Sequence, residues 1–218
     1  MAPTQPHRDE EADGEEHQRH HVGRSVRRHV PILNHYPYAS RVNNPHRLVV
    51  VRHAKAETYG PSDFERELAP RGRADAAAAG AWLAEQGVVA DAALVSAATR
   101  TRQTWEILSE AAGWSVEADL DRSLYGADED TVLDLVASTD EAVGTVVVIG
   151  HNPTIGMLAQ LLDDGAGAPD AVDRLMRGYP TSAMAVFELP STWERLAMGR
   201  ARLTLFNVGR ADPDDEGD

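Results

Sequence analysis

The chain opens polar and then settles into alternating stretches of strand-like and helix-like apolar spacing. Leu48-Val49-Val50-Val51 is a continuous apolar run, mostly β-branched, of the kind found in a strand covered on both faces, and it ends at Arg52 and His53. Pro70 and Gly72 introduce RADAAAAGAWLAEQG, an alanine-rich helix that Gly87 is suited to stop. Ala93 to Ser96 reads as a second strand. It leads into TRTRQTWEILSEAAG, where Trp105, Leu108 and Ala112 recur at helical spacing before Gly113. Trp82 and Trp105 lie on these helix faces, and core packing is the better account of both.

Further on, DEDTVLDLV (128–136) carries acidic residues in its first turn and apolar Val132, Leu135 and Val136 behind them, which predicts a short helix. TVVVI (145–149) is another buried strand and stops at Gly150-His151-Asn152-Pro153, after which TIGMLAQLL returns to helix. Two final strands are expected, Ala183 to Leu189 and Arg202 to Val208, separated by a turn-rich segment with Pro190, Ser191 and Gly199. Strands alternating with helices predict an α/β fold, a three-layer α/β/α sandwich around a central, mostly parallel sheet.

The flanks differ from this body. Residues 1–46 are polar, rich in His, Arg, Glu and Pro, and predict a disordered or loosely packed extension; residues 47–208 form the domain; residues 209–218 (GRADPDDEGD) form an acidic tail. His7, His17, His20, His21 and His29 invite a metal hypothesis, but their irregular spacing among mixed charges favours a solvated tail.

Composition narrows the chemistry. With 218 residues and 42% hydrophobic content there is room for one substantial core. The absence of cysteine removes disulfides, thiolate metal sites and cysteine nucleophiles. A formal net charge of -14 argues against nucleic acid as a partner, so an anionic ligand must be bound locally. No apolar stretch reaches the roughly 18 residues that span a bilayer, and MAPTQPHRDEEADGEE lacks a signal-peptide core. The expectation is a cytoplasmic protein without a membrane partner.

In such sheets ligands collect where strands hand over to loops at their carboxyl ends. Three strands end in groups suited to phosphate: Arg52-His53, the segment Ser96 to Arg100, and Gly150-His151. Arginine offers permanently charged planar forks that pair with phosphoryl oxygens, and two arginines nearly balance a dianion. A neutral imidazole nitrogen can attack phosphorus, whereas a protonated one can donate to an equatorial oxygen. His53 is the better nucleophile because it directly follows an arginine that could hold the substrate in line, which leaves His151 as the stabiliser. A single Arg-His pair after a strand is commonly an ordinary loop. Convergence of three such strand ends is the signal.

LVVVRHAKAE, LVSAATRTRQT and VVVIGHNP, in that order, resemble the histidine phosphatase superfamily. The short core and the RHAKAE form look like its small phosphohistidine phosphatases similar to SixA. The resemblance covers Arg47 to about Val208 and implies a phosphoglycerate mutase-like fold. It implies that His53 carries the phosphoryl group, that Arg52 and Arg100 bind it and that His151 completes the pocket. Arg100 rather than Arg102 matches the family pattern, standing four positions after Ser96 and before Thr101 and Gln103-Thr104. Two departures are Ala54, where glycine is commonest, and Ala97, where proline often follows the serine.

The implied enzyme is a metal-independent phosphatase with no cofactor, acting on phosphohistidine in a protein or on a small phosphorylated metabolite. Relatives that cleave alkyl phosphates protonate the leaving oxygen with a carboxylic acid. Among Glu117, Asp119, Asp121, Asp128, Glu129 and Asp130, Asp121 is the nearest candidate, and without an acid the leaving group must need little help, as imidazole does. Lys55 and Glu57 either shape the pocket entrance or form a solvated pair. Asn152 and Ser182 could touch phosphate, with a helix-capping role favoured for Asn152. The competing reading is a noncatalytic phosphate or phosphoprotein binder that keeps the pocket. A phosphomutase is disfavoured by the brevity of the core.

Overall fold

The computed structural model describes residues 45–211. Residues 1–44, with His7, His17, His20, His21 and His29 among them, and the last seven residues lie outside the described residues. The strands are β1 (His46–Arg52), β2 (Ala92–Ser96), β3 (Ala118–Asp121), β4 (Thr145–Gly150), β5 (Ala183–Leu189) and β6 (Arg202–Val208). The helices are α1 (Pro70–Glu85), α2 (Thr99–Ala111), α3 (Glu129–Ala137), α4 (Thr154–Leu162) and α5 (Pro169–Met176). One sheet takes all six strands in the order β3-β2-β4-β1-β5-β6. β1 to β4 run parallel, β5 is antiparallel to β1, and β6 is antiparallel to β5.

The centre of the sheet follows from its two most apolar strands. Successive side chains point to opposite faces, so an unbroken apolar strand needs a helical layer on each side. On one face Val49, Val51, Val147 and Ile149 pack with Ala79 and Leu83 of α1 and Trp105 and Leu108 of α2. On the other, Leu48, Val50, Val146 and Val148 pack with Val132 and Val136 of α3, Ile155, Leu158 and Leu162 of α4, and Leu175 of α5. Each such fully buried side chain contributes roughly 1.5–3 kcal/mol from burial. The result is the expected α/β/α sandwich. Trp105 is buried and Trp82 packs at the edge of the same core.

Helix ends fall where local chemistry places them. Pro70 occupies the first turn of α1, Gly87 and Gly113 follow α1 and α2 with φ of 68° and 70°, and Asp128 caps α3 by accepting from Thr131 N–H at 2.9 Å. Two elements have no counterpart in the sequence reading. β3 (ADLD) is an edge strand whose Leu120 is exposed, and its acidic residues are poor strand formers that only an edge tolerates. α5 is eight residues long, shorter than the roughly 11–18-residue window over which helical spacing is read, and buries Ala171 and Leu175 one turn apart.

Past β6 the chain does not leave the domain at once. Gly209 N–H donates to Ser182 O at 3.0 Å, and Arg210 Nη1 donates to Thr181 O at 2.9 Å and to Asp75 Oδ2 at 3.2 Å. Asp75, buried in α1, also accepts from Arg71 Nε at 3.0 Å and from Ala211 N–H at 3.2 Å. This carboxylate ties the segment after β6 to α1.

Candidate active site

Strand register brings the two histidines together. β1 and β4 are parallel with Arg52 opposite Gly150, so the residues that follow, His53 and His151, emerge side by side at the carboxyl edge of the sheet. Their ring centroids are 5.1 Å apart. β2 pairs with the other edge of β4 and ends at Ser96, whose hydroxyl lies 2.8 Å from His151 Nε2. α2 begins three residues later and presents Arg100 from its first turn, with Nε donating to His53 Nε2 at 3.3 Å. Arg52 reaches across to donate from Nη1 to Tyr179 O at 2.9 Å. All four residues expected at the site are therefore in one place. Arg102 points outward, exposed, beside Thr99.

The hydrogen bonds define what each ring can do. His53 Nδ1 is 2.7 Å from Ala54 O, an acceptor only, so Nδ1 carries the proton and Nε2 keeps its lone pair. Arg100 donating to Nε2 agrees with that tautomer. Burial lowers the His53 pKa to about 4, with Arg100, Arg52 and Arg66 acting the same way against the Ala54 hydrogen bond. Burial, with His53 and Arg100, lowers His151 to about 3. Both rings are neutral at pH 7, so the expected charge on His151 has to arrive with a bound dianion.

Arg52 Nε and His151 Nδ1 are buried with no hydrogen-bond partner. Buried polar nitrogens without partners are costly, and donors of this kind suit the oxygens of an anion. Ser96 Oγ lies 2.8 Å from His151 Nε2, and in the tautomer in which that hydroxyl donates, Nδ1 carries a proton to give. Ala54 is fully buried against Leu68 and Ala76, and its N–H donates to Thr104 Oγ1 at 3.0 Å, so the methyl that replaces the commoner glycine hydrogen fills core space.

The other candidates take varied positions. Asn152 Oδ1 accepts from Gly156 N–H at 3.2 Å in the first turn of α4, and its Nδ2 donates to Tyr179 O at 2.9 Å, which is a capping and bracing role. Ser182 is buried behind the nucleophile loop, its N–H donating to His53 O at 3.2 Å and its hydroxyl unpartnered. Lys55 and Glu57 are exposed. Asp121 stands opposite Ser96 in the sheet, and its Oδ1 accepts from Ser123 N–H at 2.7 Å, capping the turn that carries Tyr125.

The carboxylate that meets Arg100 is Asp63, from the loop between β1 and α1, outside the stretch where the sequence reading sought one. Arg100 donates from Nη1 to Asp63 O at 2.6 Å and from Nη2 to Asp63 Oδ2 at 3.2 Å. Arg66 holds Oδ1 with Nε at 2.8 Å, and the Tyr125 hydroxyl donates to Oδ2. Tyr125 in turn stands edge-on to His151 with centroids 5.3 Å apart. The available signal was the Asp63-x-x-Arg66 spacing beside Ser62 and Glu65, an i,i+3 turn that the sequence alone does not aim at Arg100. A hollow of about 310 Å³ touches Tyr125, His151 and Thr154, and a separate one of about 450 Å³ touches Tyr59, Asp63 and Arg66.

Among the described residues no group of three or more His, Asp or Glu is placed to hold a metal ion, and no helix is long and apolar enough to cross a membrane. A mostly parallel α/β sheet with two neutral histidines and two arginines at its carboxyl edge defines a protein equipped for phosphoryl chemistry. Residues 48–131 match the histidine phosphatase superfamily (branch 1). Uncharacterized protein Rv1276c of Mycobacterium tuberculosis is 39% identical over 162 residues, 73% of this chain and 100% of that protein. SixA from Nakamurella multipartitia is 33% identical with a TM-score of 0.67, covering 77% of this chain and 98% of that one. The protein histidine phosphatase SixA complexed with tungstate is 26% identical with a TM-score of 0.62, covering 75% and 97%. The chain belongs to the histidine phosphatase superfamily, in its SixA-like branch, and is a phosphatase by that membership.

Proposed function

We propose that the protein is a cytoplasmic, metal-independent phosphatase that works through a phosphohistidine on His53, with phosphohistidine in a protein or a small phosphorylated metabolite as substrate. The observation that carries this reading is the His53 tautomer. A lone pair on Nε2, with Nδ1–H anchored on Ala54 O, is a nucleophile aimed beside the Arg100 guanidinium. Arg52 and Arg100 bind the phosphoryl oxygens, and His151 Nδ1 donates to one of them, gaining stabilising charge as the dianion raises its pKa. The neighbouring SixA with bound tungstate supports an oxyanion ligand for this architecture.

In the first step Nε2 attacks phosphorus, an N–P bond forms, and the bond to the leaving group breaks with its electron pair going to that group. In the second, water attacks the same phosphorus, its proton passes to solvent, and the N–P electrons return to Nε2 as phosphate departs. His53 is then neutral again.

The test is hydrolysis of p-nitrophenyl phosphate in the presence of EDTA by the wild type and by His53→Ala. Turnover that the substitution abolishes, with an acid-labile phosphoenzyme trapped only in the wild type, is the expected result. Full activity in the variant removes His53 from this role. A wild type that binds phosphate without turnover leaves the protein a binder.

A further inference from the structure

Phosphate binding calls for cations, yet Asp63 puts an anion against the outer edge of Arg100. Its carboxylate is held on both oxygens, by Arg66 on Oδ1 and by Arg100 and Tyr125 on Oδ2. Arg100 turns Nε toward His53 and its two terminal nitrogens toward Asp63. The carboxylate therefore lies on the side of Arg100 away from the nucleophile. Phosphoryl transfer places attacking and leaving atoms in line across phosphorus, so a leaving group departs on the side opposite His53 Nε2, and on the reading that Arg100 binds the phosphoryl oxygens the carboxylate paired with Arg100 is within electrostatic reach of it.

A fixed carboxylate there treats leaving groups by their charge. When an ester is cleaved, negative charge develops on oxygen, and a nearby anion opposes it. When a phosphoimidazole protonated on its distal nitrogen is cleaved, the P–N electron pair passes to the proximal nitrogen and neutral imidazole leaves. The carboxylate favours the protonated ring that makes this possible. The hydrogen bond from Tyr125 lowers the Asp63 pKa to about 2, which Arg66 and Arg100 reinforce, so the group stays ionised and has no proton to give an alkoxide.

We propose that Asp63 is a specificity-determining residue whose carboxylate selects phosphoryl donors with a cationic nitrogen leaving group, a protonated phosphohistidine ring above all, over phosphate esters. This rests on the reading of His53 as nucleophile. The side chain is more than half exposed, so its effect has the size of one solvent-exposed ion pair.

The experiment compares kcat/KM for a phosphohistidine peptide and for p-nitrophenyl phosphate in the wild type, Asp63→Asn, Asp63→Glu and His53→Ala. Asp63→Asn should lower kcat/KM for the peptide about fivefold and raise it for the ester, and Asp63→Glu should restore the wild-type preference. Equal losses on both substrates in Asp63→Asn would overturn the proposal and make Asp63 a positioning residue for Arg100. A larger loss on the ester would overturn it in favour of a proton donor. Full turnover in His53→Ala, or a wild type that turns over neither substrate, strikes the nucleophile reading itself and the proposal with it.

Discussion

Two aspartates of this chain are each held by two arginines, one at the mouth of the histidine pocket and one behind it. Asp63 meets Arg66 and Arg100 with its side chain 57% exposed, whereas Asp75 meets Arg71 and Arg210 with 4% exposed. The pairings are alike and the depths are not. An exposed ion pair is screened and adds little to stability, so Asp63 contributes little to holding the fold together. A buried carboxylate is costly to strand without partners, so Asp75 works by holding α1 to the segment after β6. That segment also carries the hydrogen bond from Gly209 to Ser182, whose N–H supports His53 O, so the rear cluster reaches the pocket only through structure.

The sharpest contrast is between the residues these clusters serve. His53→Ala should reduce phosphatase activity on the order of a thousandfold or more, while a circular dichroism melt shows a folded protein. Arg100→Ala should cost on the order of a hundredfold in kcat/KM and weaken inhibition by inorganic phosphate, because it removes a charge-assisted donor to the transferring group. If either variant lost stability in proportion to activity, the mouth would be as structural as the rear.

At the rear, Asp75→Ala should lower the unfolding free energy by about 2 kcal/mol in urea titration, since it removes the shared acceptor of Arg71, Arg210 and Ala211. The folded fraction should keep its KM. A selective fall in kcat with unchanged urea midpoint would break the assignment of Asp75 to stability.

Acid separates the regions in a third way. His53 and His151 have pKa values near 4 and 3 in the fold against about 6.5 in the unfolded chain, so below pH 6.5 the unfolded state binds more protons. Stability contributed by the neutral rings is complete above pH 6.5 and is lost as pH falls toward 4 for His53 and toward 3 for His151, on the order of a few kcal/mol for each histidine. The urea midpoint should therefore drop between pH 7 and pH 4.5, and His53→Gln should flatten that drop. The smallest effect is expected at Asp63, where replacement by Asn should change stability by less than about 1 kcal/mol.

The order of strands and helices was legible because buried strands and amphipathic helices announce themselves in short windows, as Leu48–Val51, Val146–Ile149 and α2 do. The fold class and the family followed from that order and from three strand-end motifs. Arg52, His53, Arg100 and His151 could be named because each lies within four residues of a legible strand. Other features belong to contacts between segments distant in sequence. The Arg52–Gly150 register aligns the histidines, the return of the 58–68 loop lays Asp63 on Arg100, and the turn capped by Asp121 aims Tyr125 at both Asp63 and His151. Asp75 reads as one more charge on a helix until β6 brings Arg210 back to it. Local pattern determined what this protein is made of and where its reactive groups arise. Only the folded chain decided which carboxylate meets Arg100, because that depends on loops whose partners lie across the sheet.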